Sequence, residues 1–417
     1  MSKESETNFL SLLISNAMKK VVGGKSIDLS GSVNIHIYPS NLRNESRILK
    51  IVRTLQCAKI FDTIVVLGKW DPDVEPITFL GGNAYLHRIS PLFSNKKGII
   101  FRAVKVIIWH IRVLSAYGGN RKVVCINCHS LPVLPLCVIL KLLSGGKLIY
   151  DTHELETEVI KSQGVVRVVY KALERLFIRY CDKVSVVNQE ISSWYENEYD
   201  IPAPVVVENM PVSPGTVEIP RSTVLRDYVG IKDDDVLFIY QGLLSKGRGI
   251  EKLIAVFSGF QARMHLIFLG YGPMEQVVRN AADKYPCIHF HPAVSPELLS
   301  EYTASADVGI ALIENLCMSY YLCLPNKLYE YVMCGIPVIA SDFPVMSRVI
   351  KNLRCGWLAE PDESSLRALI QALSIEDIKI MSRHAKEARG KLGWHLQEGG
   401  LMAIYESCGF HPITEVK

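Results

Sequence analysis

A chain of 417 residues is too long for one ordinary core, so two domains of about 200 residues each are expected. Hydrophobic residues make up 49% and charged residues 21%, a folded and somewhat apolar globular composition that excludes a disordered chain. The net charge of +4 is small, and the 11 cysteines are scattered with no Cys/His cluster at zinc spacing, which reads as free thiols in a reducing cytosol and no metal site.

Residues 1–25 carry Glu4 and Glu6 early and Lys19 and Lys20 late, the reverse of a secretory signal's order. A first series of short apolar runs follows, at 33–38, 63–67, 123–127, 147–150 and 183–187. A second series covers 236–240, 265–269, 288–291, 308–312 and 337–341. Helical segments separate the runs, which predicts parallel sheets covered on both faces. The break falls between Asn209 and Pro220, a stretch rich in Pro, Ser and Gly. The expectation is an α/β chain of two facing, doubly wound, Rossmann-like domains, residues 1–212 and 213–393. The ligand should sit at the carboxyl ends of the strands, in a cleft. Residues 394–417 read as a closing helix with Trp394, Leu396, Leu401 and Tyr405 apolar. Two placements stay open for it: a terminal helix of the second domain, or one packed back on the first. The most apolar region, 123–150, is interrupted by Asn127, His129, two prolines, Lys141 and Gly145–Gly146, so it reads as strand, helix and strand rather than a membrane span.

Charge is unevenly placed. Residues 1–200 hold 26 Lys/Arg against 18 Asp/Glu, and residues 201–417 hold 20 against 24. Between Gly81 and Tyr150 there are ten Lys/Arg and no acid, which suggests an anionic partner. Within that stretch Arg102, Lys105, Trp109 and Arg112 share one helical face. One reading is a helix packed on the sheet with its cations reaching outward. The other, carried forward, rests it on an anionic membrane with Trp109 at headgroup level. Nucleic acid is disfavoured, since the run lacks an aromatic platform or a known motif.

The densest chemical signal lies between Leu324 and Ala340. Pro325 and Asn326 predict an abrupt helix start with Asn326 as N-cap, and Gly335 followed by Pro337 predicts an abrupt stop. Such a helix aims its positive end at an anion. Lys327 and Glu330 share a face of its first turn, where one can bind a phosphate and the other accept hydrogen bonds from hydroxyls. Together they suit a sugar nucleotide. Upstream, a strand runs into a turn with Gly242, Lys246, Gly247, Arg248 and Gly249, whose amides and cations can hold a diphosphate. It lacks the ending of a Walker A loop. Gly270-Tyr271-Gly272-Pro273 follows the next strand. Pro292-Ala293-Val294-Ser295 lies on the same edge, where Val294 can offer backbone groups to a nucleobase.

These pieces, in this order over about 100 residues, resemble the nucleotide-sugar half of retaining GT-B glycosyltransferases of family 4, in the subgroup with Pro-Asn-Lys before the glutamate. The resemblance implies a metal-independent, retaining hexosyltransferase with no cofactor. Its donor is a nucleoside-diphosphate sugar held by Gly242, Lys246, Arg248, Gly270, Gly272, Val294, Asn326, Lys327 and Glu330. Arg248 aligns with the family's phosphate-binding lysine and Glu330 with its ribose-binding glutamate. Leu322 stands where many members carry a sugar-reading glutamate, and Leu243 replaces the usual arginine, with Lys246 as the compensating cation. The donor sugar and base are therefore not carried over. In the first domain, Val123–His129 resembles the strand that ends in the family's active-site histidine, and Asp151-Thr152-His153-Glu154 resembles its D-x-H-E. His129 and His153 join Glu330 as the catalytic expectation, with Arg43, Arg47, Asp151 and Glu154 on the acceptor side. Asp71-Pro72-Asp73 reads as a loop. The acceptor implied is a glycan or a lipid-linked saccharide of cell-surface polysaccharide or lipopolysaccharide type. The place implied is the cytoplasm, peripheral on the inner face of the membrane. A nucleotide-sugar epimerase of the same fold and a non-catalytic nucleotide-sugar-responsive membrane-surface module are the alternatives.

Overall fold

The computed structural model describes residue 27 and residues 29–43, 45–90, 99–212, 219–260 and 263–412. The signal-free reading of residues 1–25 and the middle of the 209–220 break lie outside the described residues, as does the Arg102 side chain. The chain forms two compact units. One takes the described residues up to Thr157, Gly164–Val207, and those from Glu398 onward; the other takes Glu158–Gln163 and Glu208–Gln397.

The first unit runs β1 (Val33–Ile37), α1 (Ser46–Cys57), β2 (Thr63–Lys69), β3 (Ile77–Gly81), β4 (Ala84–Ile89), α2 (Ile99–Tyr117) and β5 (Val123–Cys128). It continues through α3 (Leu134–Ser144), β6 (Lys147–Asp151), α4 (Val165–Phe177), β7 (Lys183–Val186), α5 (Gln189–Tyr199) and β8 (Val205–Val206). The strand order is β3-β4-β2-β1-β5-β6-β7-β8, parallel throughout except for the β3–β4 hairpin. That hairpin was not expected: no helix separates β2, β3 and β4, so the strand–helix alternation gave no cue for it. β1, β2, β5 and β6 are almost wholly buried, as two-sided strands must be, whereas the edge strand β3 is not.

The second unit runs α6 (Val224–Val229), β9 (Val236–Leu243), α7 (Ile250–Phe257), β10 (Met264–Tyr271), α8 (Glu275–Lys284), β11 (Ile288–Pro292), α9 (Pro296–Thr303) and β12 (Val308–Ala311). Then come α10 (Met318–Tyr321), α11 (Asn326–Met333), β13 (Val338–Ser341), α12 (Pro344–Leu353), β14 (Gly356–Ala359), α13 (Glu363–Ala372) and α14 (Ile375–Ala388). Its sheet is all parallel in the order β11-β10-β9-β12-β13-β14, and two cores, one on each face, hold it. β14 was also unexpected; four residues opening on glycine carry little strand signal.

The closing helix α15 (His395–Ser407) is shared in sequence but not in packing. Trp394 stays with the second unit through its N–H to Pro211 O (2.9 Å). From Glu398 the helix belongs to the first unit. Thr54 Oγ1 donates to Glu398 (3.0 Å), Asn127 Nδ2 donates to Tyr405 Oη (2.8 Å), and Phe61 meets the rings of Tyr405 and Phe410 edge-on. None of the eleven cysteines is in a disulfide. Cys125 and Cys128, at C-x-x-C spacing, lie on β5, where residues three apart point to opposite faces.

The basic face expected on α2 is not the exposed one. Trp109 is fully buried with its indole N–H on Gly68 O (3.2 Å), and Arg112 donates to Ser90 O (2.6 Å). Both pack toward the sheet because β4 and β2 lie beneath them. Val104, Ile107 and Ile111 face outward instead.

Candidate active site

Both sheets reverse direction beside their first strand, and side chains converge at the carboxyl ends there. In the second unit the reversal lies between β9 and β12. Gly242 and Gly270 pair across β9 and β10, and a Cβ on Gly270 would stand 1.9 Å from Gly242 O, so this approach requires glycine. Gly272, at φ +146°, lets Leu244 N reach Tyr271 O (2.8 Å) and Met274 N reach Leu244 O (3.0 Å). These contacts bring the two glycine turns side by side.

α11 begins one residue earlier than expected. Pro325 is the extended N-cap and Asn326 is the first helical residue, so Asn326 caps nothing; its Oδ1 accepts from Asn209 Nδ2 (2.9 Å). The stop is as the residues predict, with Gly335 at φ +73°. Lys327 reaches inward over the Tyr240 ring, 3.5 Å from its centroid, and lies against Gly242. Its Nζ is buried and makes no hydrogen bond; burial, with Arg248 nearby, holds the ammonium well below the usual lysine range. Arg248 stacks on Tyr320 at 4.6 Å, and its Nε is likewise buried without a hydrogen-bond partner. Lys246 is exposed on the turn, and Val294 packs half-buried against the core.

Glu330 is held from behind. Gln241 Nε2 donates to Glu330 Oε2 (2.6 Å), and Thr303 Oγ1 donates to Gln241 Oε1 (2.7 Å). Sequence reasoning missed both. The cue was a polar residue closing an otherwise apolar strand run. Glu314 was missed as well: it accepts from Gly249 N (3.2 Å) at the start of α7 and pairs with Lys252.

In the first unit the reversal lies between β1 and β5, and a buried charged cluster sits there. Asp151 receives Arg47 through two nitrogens (2.6 and 3.0 Å), Ser185 Oγ (2.7 Å) and His129 Nδ1 (3.1 Å). Despite burial, Arg47 and the two histidines hold its carboxyl well below the usual range. An ionised Asp151 only accepts, so His129 carries its proton on Nδ1, and its Nε2 accepts from His36 Nδ1 (2.9 Å). Burial lowers His129 to about 4, so both rings are neutral near pH 7.

His129 is thus enclosed, with both nitrogens engaged. The partly exposed imidazole is His153, whose Nε2 is 3.3 Å from His129 Nδ1 and 3.5 Å from Asp151, and whose ring stacks on Tyr38 at 5.4 Å. Arg47 is buried and also bonds Val207 O (2.7 Å), which corrects its acceptor-side assignment: it is the counter-ion of Asp151. Arg43 is half exposed and faces Asp73 of the Asp71–Asp73 turn (3.6 Å), and Glu154 is exposed. The ligand atoms of His129, Asp151 and His153 lie within 4.8 Å of one another, a spacing that could hold a metal ion. Arg47 already meets the Asp151 charge there.

Glu156, missed by the sequence reading, accepts from Leu131 N (3.2 Å) and Ser130 Oγ (3.4 Å) just beyond β5. Burial, then Glu154 and Glu174, push its carboxyl up to about 8. A raised carboxyl favours the fold fully below the unfolded value and loses that advantage as pH rises through about 8. Glu156→Gln is therefore expected to melt above the parent at pH 9 and to match it near pH 4, as read by melting temperature against pH.

Residues 222–391 match the family described as Glycosyl transferases group 1. A curated relative, chitobiosyldiphosphodolichol beta-mannosyltransferase of Kluyveromyces lactis, is 23% identical over 390 residues, covering 84% of this chain and 83% of that one. The solved sucrose-phosphate synthase of Thermosynechococcus elongatus superposes with TM-score 0.73 at 15% identity, over 90% of this chain and 98% of that one. Anabaena Alr3699/HepE, solved in complex with UDP and glucose, gives 0.68 at 12% identity, over 90% and 100%. The two parallel-sheet α/β units have the GT-B glycosyltransferase fold.

Proposed function

With a glycosyl transferases group 1 domain in its second unit the chain is a glycosyltransferase, and we propose that it moves a hexosyl-type sugar from a nucleoside diphosphate to a lipid-linked glycan. The observation that carries this reading is the pair of buried cationic nitrogens, Lys327 Nζ and Arg248 Nε, that lack hydrogen-bond partners. Burying such groups unpaired costs several kcal/mol. A diphosphate supplies both partners, and its charge grows as the sugar leaves, when fixed cations matter most. Lys246 and the first turn of α11 add to the same charge, and no metal or cofactor takes part. Glu330, steadied by Gln241, receives the ribose hydroxyls. The name of the yeast relative supports a saccharide acceptor carried on a lipid diphosphate. In this reading the enzyme works in cell-surface polysaccharide synthesis, on the cytoplasmic side of a membrane.

Retention is the stereochemistry that the family 4 resemblance implies. Inversion is the second reading, favoured by the relative's β-mannosyl product, since an α-linked donor gives a β product only by inversion. One assay tests the whole. UDP-, GDP- and ADP-hexoses are supplied with a lipid-diphosphate-linked saccharide, and nucleotide release and product are followed. Release that depends on acceptor, persists in EDTA and puts sugar on the acceptor is expected, and the anomeric coupling of the product reports the configuration. Glu330→Ala should cut turnover by roughly 10²–10³-fold with an unchanged melting temperature. Conversion of the sugar without transfer would make the chain an epimerase, and full activity in Glu330→Ala would displace the site.

A further inference from the structure

One helix of the first unit is inside out. Val165, Val168 and Leu176 of α4 fall at helical spacing, a stripe that ordinarily turns into a core. Here Val165 is 79% exposed, Val168 67% and Leu176 54%. The orientation is fixed from the other side. Glu174, the only acid of the helix, points inward and accepts the hydroxyls of Tyr150 (2.7 Å), Tyr195 (2.8 Å) and Tyr199 (2.6 Å).

The neighbours extend the stripe. Right-handed crossovers put α2, α3 and α4 on one face of the sheet, with α2 beside α3 and α3 beside α4. Leu142 of α3 is 67% exposed, and Ile107 and Ile111 of α2 are 58% each. An exposed apolar surface spread over three adjacent helices marks a contact. Its charge is net positive. α4 and the turn after it carry Arg167, Lys171, Arg175 and Arg179; Glu198 of α5 pairs with Lys171 and Arg175 (2.9 Å each), and the three helices themselves hold no acid besides the buried Glu174. No helix among the described residues is long and apolar enough to cross a membrane.

We infer that the outer face of α2, α3 and α4 docks on an anionic lipid surface, with the apolar side chains at the headgroup–acyl boundary and the arginines among the phosphates. A second copy of the chain docking by the same face would set these cations against their own counterparts. The inference stands apart from the transfer reaction, and its test uses neither donor nor acceptor.

The full chain is floated with phosphatidylcholine vesicles made with and without phosphatidylglycerol. Retention on the anionic vesicles at low salt, weakening as salt rises, is expected. Val168→Asp combined with Leu142→Asp should lower the bound fraction at least about tenfold, with melting temperature and monomer mass unchanged. Val168→Ile should retain binding. The inference falls if the parent protein stays unbound, if the double variant binds as well as the parent, or if light scattering finds a parent dimer that the double variant dissolves. Covering of the face by residues 1–26 would appear as the first of these.

Discussion

Replacing Lys327 by methionine is expected to lower kcat/KM by about 10²–10³-fold and to raise the melting temperature of the free protein. The two effects share one cause. Lys327 Nζ is buried over Tyr240 with no hydrogen bond, so the apo fold bears the cost of an ammonium taken out of water. Methionine fills a similar volume without the charge, and removing an unpaired charge stabilises. In the proposed reaction the same removal takes away a cation that would meet the developing charge of the leaving diphosphate. Linkage gives a further signature. The folded pKa lies below the unfolded value, so stability grows as pH rises between the two, and methionine abolishes that slope. Nucleoside diphosphate should raise the melting temperature of the parent strongly and that of the variant weakly. An unaltered thermal shift in Lys327→Met would remove the lysine from the donor site. The loss with Arg248→Ala should not add to it, because in the proposed site both cations would meet one anion.

The second large effect is in the first unit. Asp151→Asn should destabilise it by about 3–5 kcal/mol at neutral pH, because Arg47 then stays buried without its counter-charge. Urea unfolding followed by circular dichroism measures this. The sign of the pH dependence follows from the lowered carboxyl of Asp151. Its contribution is present above the unfolded value near 4 and is lost as pH falls toward the lower folded value. The gap between parent and variant should therefore narrow in acid. Arg47→Met combined with Asp151→Leu should recover most of the stability, since an apolar pair can replace a buried ion pair at little cost. If the double variant unfolds as easily as Asp151→Asn, the loss lies elsewhere than in the stranded arginine.

Legibility followed burial. Strands covered on both faces are plain apolar runs, so the two parallel sheets and their order of appearance were readable. Glycines that allow close backbone approach were readable for the same kind of reason: at Gly242, Gly270 and Gly335 geometry leaves little choice. The β3–β4 hairpin was not, because a reading keyed to strand–helix alternation passes over it. Asn326 was assigned a cap because Asn suits one, yet Pro325 already supplies the extended residue. Buried polar partners were least legible. Arg47 and Asp151 stand 104 positions apart, and nothing local in either segment announces the pair. Two cues went unused: Asn34 and His36 interrupt a wholly buried strand, so each needed a bonded partner. On α2 the basic, Trp109-bearing face was expected outward, yet Trp109 is a core residue and the exposed side is the apolar one with Ile107 and Ile111.

The return of α15 to the first unit bears on how the protein is made. Tyr405 sits 278 positions after Asn127, to which it is hydrogen bonded, and packs on Phe61. During synthesis every residue of the second unit leaves the ribosome before this closing piece does. The first unit, although its strands emerge first, is the last to be completed. Until then the surface around Phe61 and Asn127 waits uncovered, and a chain released early would carry a finished second unit on an unfinished first one.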